Sequence, residues 1–179
     1  MERHPGGTAE TRRLLELAGL APCRILDMGA GDGDTVRLLR SLGYDAVGID
    51  RAPGADVEQG NFFRCSYPDG SFDAVLSQCA FYVSGDAPRA LREAARLLRT
   101  GGMLLCSDVC FAGEGAWSRA LEAEGFRVRA LEDATPAWRA YYIECIWNGT
   151  ADALCGCVPK SKCSYYLTAC ERMCVHGFV

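Results

Sequence analysis

Two patterns of apolar and polar residues alternate along this chain. Short apolar runs of strand length are followed by longer stretches where apolar residues recur every three or four positions. Thr8 caps a predicted helix reaching about Gly19, with Leu14, Leu15, Leu17 and Ala18 on its apolar side. Ala21-Pro22 breaks it, and Cys23 to Met28 reads as the first strand. A second helix opens at Asp34 or Thr35, carries Val36, Leu38, Leu39 and Leu42, and closes at Gly43. Asp45–Asp50 is a second strand and Val57–Asn61 a third. The connection between them is too short for more than a turn of helix. After the turn Tyr67-Pro68-Asp69-Gly70-Ser71, the run Phe72–Ser77 predicts a fourth, central strand.

The clearest helix follows, with Asp86 as N-cap and Ala87, Ala90, Leu91, Ala94, Leu97 and Leu98 at helical spacing. Arg89, Arg92, Glu93, Arg96 and Arg99 form its solvated face rather than a nucleic-acid surface. Thr100-Gly101-Gly102 ends it, and Met103–Asp108 is the fifth strand. Trp117, Ala120 and Leu121 mark a short helix, and Gly125–Leu131 alternates as a sixth strand. Thr135-Pro136 opens a helix with Trp138, Tyr141, Tyr142 and Cys145 on one face, which covers the sheet or, as the alternative, forms an aromatic wall of a substrate pocket, and Ser164–Cys170 is the last strand. Alternation of this kind predicts an α/β fold, a mostly parallel sheet with helices on both faces. It forms one domain over 8–174, flanked by tails 1–7 and 175–179 and holding a Cys-containing loop at 155–163.

The stretch Ile25–Thr35 carries the chemistry. An apolar run ends in Asp27 and then in glycines at every second position, Gly29, Gly31 and Gly33, before a helix opens. This is a strand, a tight turn and a helix N-terminus, where a missing Cβ lets a ligand approach. The dinucleotide fingerprint G-x-G-x-x-G would place its third glycine where Asp34 stands. A pyrophosphate there would meet Asp32 and Asp34, whereas a ligand with positive charge and no phosphate would not be repelled. Asp50, 19 residues past Gly31, stands where an acid accepts hydrogen bonds from ribose hydroxyls.

Composition narrows the setting. Net charge is −4, which argues against a large nucleic-acid surface. No run approaches the ~18 apolar residues of a membrane span, and Met1–Gly7 has no signal-peptide core, so the cytoplasm is expected. Eleven cysteines are expected to be mostly thiols there. Cys155, Cys157 and Cys163, with Cys145 or Cys174, would suit a soft metal, but they lack paired C-x-x-C knuckles and no metal is assigned.

The D-x-G-x-G-x-G spacing resembles the glycine motif of class I S-adenosylmethionine-dependent methyltransferases. Tyr67-Pro-Asp-Gly-Ser-Phe-Asp-Ala-Val75 is similar to their fourth-strand signature, and Leu97-Leu-Arg-Thr-Gly-Gly102 to the approach to their fifth strand. The resemblance covers roughly residues 8–173 and points to a small, type-11-like member with a Pro-Gly-Gly tail. It implies a Rossmann-like sheet of seven strands, the last antiparallel and inserted between the fifth and sixth. It implies S-adenosylmethionine as cofactor, a turn shaped by Gly29, Ala30 and Gly31, and Asp27 at the methionine amino end. Asp50 takes the ribose, Asn61 the adenine amino group, and Ser77 lines the methionine end through its backbone. Arg51 and Phe62 complete the cofactor-binding set. Asn61 also reads as a turn residue after Gly60.

Methyl transfer needs alignment more than a fixed catalytic residue, and none announces itself. Cys79, Tyr82, Asp108, Cys110, Glu132 and Asp133 lie at strand ends, and His4 reaches the site if residues 4–11 fold over it as a lid. The acceptor is expected to be a small molecule, or a partner protein completes the site. Two alternatives stand beside an unidentified acceptor. One is a non-catalytic S-adenosylmethionine-fold module with a cysteine metal or partner site. The other is metalloid methylation, since Ser77-Gln78-Cys79 is similar to the Ser-Asn-Cys of arsenite methyltransferases.

Overall fold

The computed structural model describes residues 4–110, 113–150 and 163–174. One sheet of seven strands organises them, in the order β3-β2-β1-β4-β5-β7-β6. The strands are β1 (Arg24–Met28), β2 (Asp45–Asp50), β3 (Glu58–Gln59), β4 (Phe72–Gln78), β5 (Leu98–Cys110), β6 (Phe126–Asp133) and β7 (Ser164–Arg172). Helices α1 (Gly7–Ala18), α2 (Asp34–Ser41), α3 (Ala87–Leu97), α4 (Glu114–Ala123) and α5 (Thr135–Trp147) cover it. β1 pairs in parallel with β2 and β4, and β4 with β5. β7 runs antiparallel to both β5 and β6, as the resemblance implies.

Burial on both faces explains the near-continuous apolar strands. On one face Leu14 and Leu15 of α1, Val36 and Leu39 of α2 and Trp138 and Tyr142 of α5 pack with Ile25, Ala74 and Leu76. On the other, Ala90, Leu91, Ala94 and Leu97 of α3 and Trp117 and Leu121 of α4 pack with Leu26, Met28 and Val75. Trp138 stacks on Tyr165 at 5.8 Å and meets Tyr142 edge-on at 5.7 Å, so the aromatic face of α5 is core.

Several boundaries move. Thr8 is not the cap of α1: Gly6, in a left-handed conformation, precedes the helix and Thr8 lies within it. β3 shrinks to two residues, and no helix forms between β2 and β3. Thr100-Gly101-Gly102 does not end α3. The helix stops at Leu97, and β5 begins at once at Leu98, running through the glycines to Cys110. A β-bulge against Phe72–Ala74 explains their presence: a Cβ on Gly102 would lie 2.9 Å from the Asp73 carbonyl oxygen. The Asp86 cap stands as expected, its Oδ1 accepting from Arg89 N at 3.2 Å.

Candidate functional site

The C-terminal ends of β1, β2 and β4 open into a cavity of about 320 Å³. That lies at the small end of the range for ligand pockets, about 300–1,000 Å³. The switch point of an open α/β sheet is where such a cavity is expected, because the crossovers on either side of β1 leave to opposite faces.

The glycine turn forms its floor. Gly29 has φ 89°, and a Cβ there would stand 2.4 Å from the Ala80 Cβ, so the turn tolerates no side chain at this point. The amides of the turn are already engaged. Gly29 N and Ala30 N both donate to the Ile49 carbonyl, at 2.9 and 3.2 Å, and Gly31 N donates to Asp50 Oδ2 at 3.0 Å. Asp50 Oδ1 accepts from Ala52 N at 2.9 Å. The acid at the tip of β2 thus ties the turn to the following loop while keeping spare lone pairs toward the cavity. Gly54 completes the brace: its N–H reaches the Gly31 carbonyl at 2.9 Å, and a Cβ would fall 2.5 Å from the Asp32 carbonyl oxygen. The short β2–β3 connection is therefore a close-packed strut beneath the turn.

Asp27 lies beside this floor and lines the cavity. It is 2% exposed, and among the described residues no hydrogen bond reaches its carboxylate. Burial, and secondarily the charge of Asp50, push its pKa up to about 7. Asp34 pairs with Arg37 at 2.5 Å, and Arg37 also holds Asp56 at 2.9 Å.

A polar wall closes the other side. Gln78, at the end of β4, accepts from Thr11 Oγ1 at 2.9 Å and from Thr35 Oγ1 at 3.4 Å. His4, Gly7, Thr8 and Thr11 bring the N-terminal segment to the cavity. Cys79 follows with φ 57°, the one left-handed non-glycine among the described residues. Such a conformation costs about 1–3 kcal/mol. Its Sγ lies 3.3 Å from the Tyr165 hydroxyl.

The structure brings Asp27, Gly29, Ala30, Gly31, Asp50, Arg51 and Phe62 together around the cavity. Asn61 and Ser77 are not in its lining. Asn61 Oδ1 accepts from Phe63 N at 2.9 Å, the turn role, and Ser77 is fully buried with no partner for its hydroxyl. Of the strand-end candidates only Cys79 lines the cavity. Asp108 accepts from Tyr82 N and Val109 N, Cys110 donates to the Gly113 carbonyl, Glu132 pairs with Arg13, and Asp133 accepts from Thr135 N. Sequence reasoning gave Thr11 only as part of the segment 4–11 and Gln78 only as a strand-end residue, and did not assign Val83 or Ser84 to the lining. The position of Gln78 at the end of the central strand was the available signal.

Cys155 and Cys157 lie outside the described residues. Among the described residues no three His, Cys, Asp or Glu side chains gather as a metal site. Nor is any helix among them long and apolar enough to cross a membrane.

Residues 26–106 match a family described as a methyltransferase domain. The chain is 34% identical over 145 residues to the 27-O-demethylrifamycin SV methyltransferase of Amycolatopsis mediterranei, covering 69% of this chain and 52% of that protein. It is 33% identical over 122 residues to the arsenite methyltransferase of Aquipseudomonas alcaligenes, covering 54% of this chain and 35% of that one. The chain spans about half the length of the first of these two relatives and about a third of the second. The solved geranyl diphosphate C-methyltransferase from Streptomyces coelicolor A3(2), in complex with Mg2+, geranyl diphosphate and S-adenosyl-L-homocysteine, superposes with a TM-score of 0.74. It covers 93% of this chain and 79% of its own at 17% identity, a likeness of fold.

Proposed function

From the premise that this chain has the class I methyltransferase fold and carries the methyltransferase domain at residues 26–106, we propose that it is an S-adenosylmethionine-dependent methyltransferase. The observation that carries the reading is Asp27. A buried carboxylate with no donor among the described residues, facing a cavity beside a second acid, calls for a cation, and S-adenosylmethionine brings an ammonium and a sulfonium. The engaged amides of Gly29, Ala30 and Gly31, with Asp32 and Asp34 in the cavity lining, support the same donor over a pyrophosphate-bearing dinucleotide.

When bound, the cofactor supplies an electrophilic methyl group. The chain's own residues orient and enclose it. Asp27 takes the ammonium end, Asp50 keeps lone pairs for the ribose hydroxyls, and Arg51 and Phe62 border the adenosyl side. Asn61 and Ser77 would contribute at most through their backbones. His4 and Thr8 put the N-terminal segment on the cavity wall, and residues 4–11 act as a lid over the bound cofactor. The acceptor is a small molecule, in keeping with the modest cavity, and a reducing cytoplasm suits a chain whose nine described cysteines are all thiols.

Calorimetry with S-adenosylmethionine, S-adenosylhomocysteine and NAD tests the donor. Binding of the first two and not of NAD is expected; binding of NAD alone would overturn the reading. A second reading, metalloid methylation, draws on Cys79 in the cavity wall and on the arsenite methyltransferase relative. It requires further thiolates from residues outside those described, and arsenite titration of the protein loaded with S-adenosylhomocysteine separates it from the general case.

A further inference from the structure

Gln78 has no part in holding the cofactor in the reading above, yet its side chain is the most connected in the cavity wall. Its Oε1 accepts from Thr11 of α1 and Thr35 of α2. Its Nε2 donates toward Glu10 Oε1 at 3.4 Å and faces His4 Nδ1 at 3.5 Å. Glu10 is 6% exposed and also accepts from the buried Tyr165 hydroxyl at 2.8 Å. Only a carboxamide presents two acceptor sites at one atom and two N–H groups at the other. A carboxylate at 78 would meet Glu10 with like charge, and an apolar side chain would remove the acceptor shared by the two threonine hydroxyls and one of the donors to Glu10.

These bonds join the end of β4 to α2 and, across 67 or more residues of sequence, to α1 and the segment before it. His4, Gly7, Thr8 and Thr11 are the part of that segment that lines the cavity. Gly6 and Gly7 carry positive φ of 70° and 46°, so the chain turns tightly just where it crosses the opening. Core packing of Leu14 and Leu15 and the Glu10–Tyr165 bond seat α1 on the sheet, and Gln78 is the side chain that ties its cavity-facing turn to the end of β4.

We propose that Gln78 is a positioning residue. Its carboxamide holds residues 4–11 against the cavity and thereby limits the rate at which the demethylated cofactor leaves. The part about release rests on the S-adenosylmethionine reading.

Reversing the polarity of the pair tests it. Q78E places two carboxylates face to face. The swap E10Q/Q78E restores the contact between positions 78 and 10 with donor and acceptor exchanged: an amide nitrogen at 10 can donate both to the carboxylate at 78 and to the Tyr165 oxygen, whose own hydrogen can turn to Cys79 Sγ. In cofactor-free protein, Q78E is expected to speed hydrogen exchange of the amides of residues 10–15 by about tenfold or more, while the rest of the sheet keeps its protection. The swap should return that exchange to within about threefold of the parent. Dissociation of S-adenosylhomocysteine should quicken by about tenfold in Q78L, a variant that adds no charge to the cavity. Parental exchange in Q78E, a swap as fast as Q78E, or an unchanged release rate in Q78L would each overturn the proposal. Should Q78E fail to fold, a swap that folds with parental exchange supports it and one that also fails overturns it. Failure of the parent protein to bind S-adenosylhomocysteine would sink the cofactor reading, and with it the release claim, while the exchange data would still decide what Gln78 holds.

Discussion

Asp27 and Asp108 are one residue type at one degree of burial, each 2% exposed, and burial pushes both up to about 7. Their surroundings differ. Asp108, on β5, accepts from Tyr82 N at 2.9 Å and Val109 N at 2.8 Å, so its carboxylate fastens the chain leaving β4 to the neighbouring strand. Asp27, on β1, accepts nothing from the described residues and faces a second acid across an open cavity. Burial alone does not mark a functional carboxylate. What separates the two is whether the fold supplies the donors or leaves them for a ligand.

The largest expected effect breaks the structural member of the pair. Asp108→Ala leaves two backbone N–H groups without their acceptor, at about 1–3 kcal/mol each. Urea unfolding should show a loss of roughly 2–5 kcal/mol, while calorimetry on the folded fraction shows S-adenosylhomocysteine affinity within about twofold of the parent. An unstable variant that has also lost affinity would join Asp108 to the site and erase the contrast.

Asp27→Asn should do the reverse. Losing a hydrogen bond between charged partners costs about 1.5–3 kcal/mol, so affinity for S-adenosylhomocysteine should fall roughly 10–100-fold. Stability at pH 8 should hold or rise, because an amide replaces a desolvated carboxylate that has no partner among the described residues. A loss of stability with unchanged affinity would place Asp27 in the same class as Asp108.

Proton linkage sharpens the comparison further. Between its ordinary value of 3.8 and about 7, Asp27 is protonated in the folded protein and ionised in the unfolded chain. The folded state thus binds more protons there, and this contribution to stability is full below about pH 4 and lost as pH rises through 7. Asp108 gives the same sign over the same window. Only Asp27 should couple to the cofactor: its ammonium favours the ionised carboxylate, so binding below pH 7 should release a proton and affinity should rise by up to about tenfold per pH unit toward 7. Calorimetry in buffers of differing ionisation enthalpy reads that proton. Asp27→Asn should abolish it and Asp108→Asn should leave it in place.

The sequence made some of this visible and hid the rest for physical reasons. The turn Gly29–Gly33, Asp50 and the strand β2 are local patterns, and local patterns survive in a one-dimensional reading. The wall of the site does not, because Gln78 meets Glu10 and Thr11 only after the first helix has folded across the sheet. Gly54 looks like an ordinary loop glycine until the Asp32 carbonyl is found where its Cβ would be. Gly101-Gly102 looks like a helix stop because a bulge and a terminator use the same residue. Asp27 was legible as an acid before a glycine turn, but the absence of a donor around it belongs to the three-dimensional fold alone.

The smallest expected effect comes from a third carboxylate, and it tests the criterion itself. Glu132 lies near the end of β6, a position that by strand topology is as suggestive as that of Asp27. In the fold its Oε2 accepts from Arg13 Nε at 2.9 Å and Nη2 at 2.8 Å, and the two side chains are 41% and 47% exposed. A pair so open to water is screened and pays the entropy of holding two long side chains, so it contributes little. Glu132→Ala should leave both the unfolding midpoint and the affinity for S-adenosylhomocysteine within experimental error of the parent. Arg13 stands only two residues from Thr11, so the variant also probes whether α1 needs this surface pair to hold its place. If removing Glu132 weakened cofactor binding as much as removing Asp27, the position of α1 would depend on its exposed face. Donor supply around a buried carboxylate would then no longer distinguish the site from its surroundings.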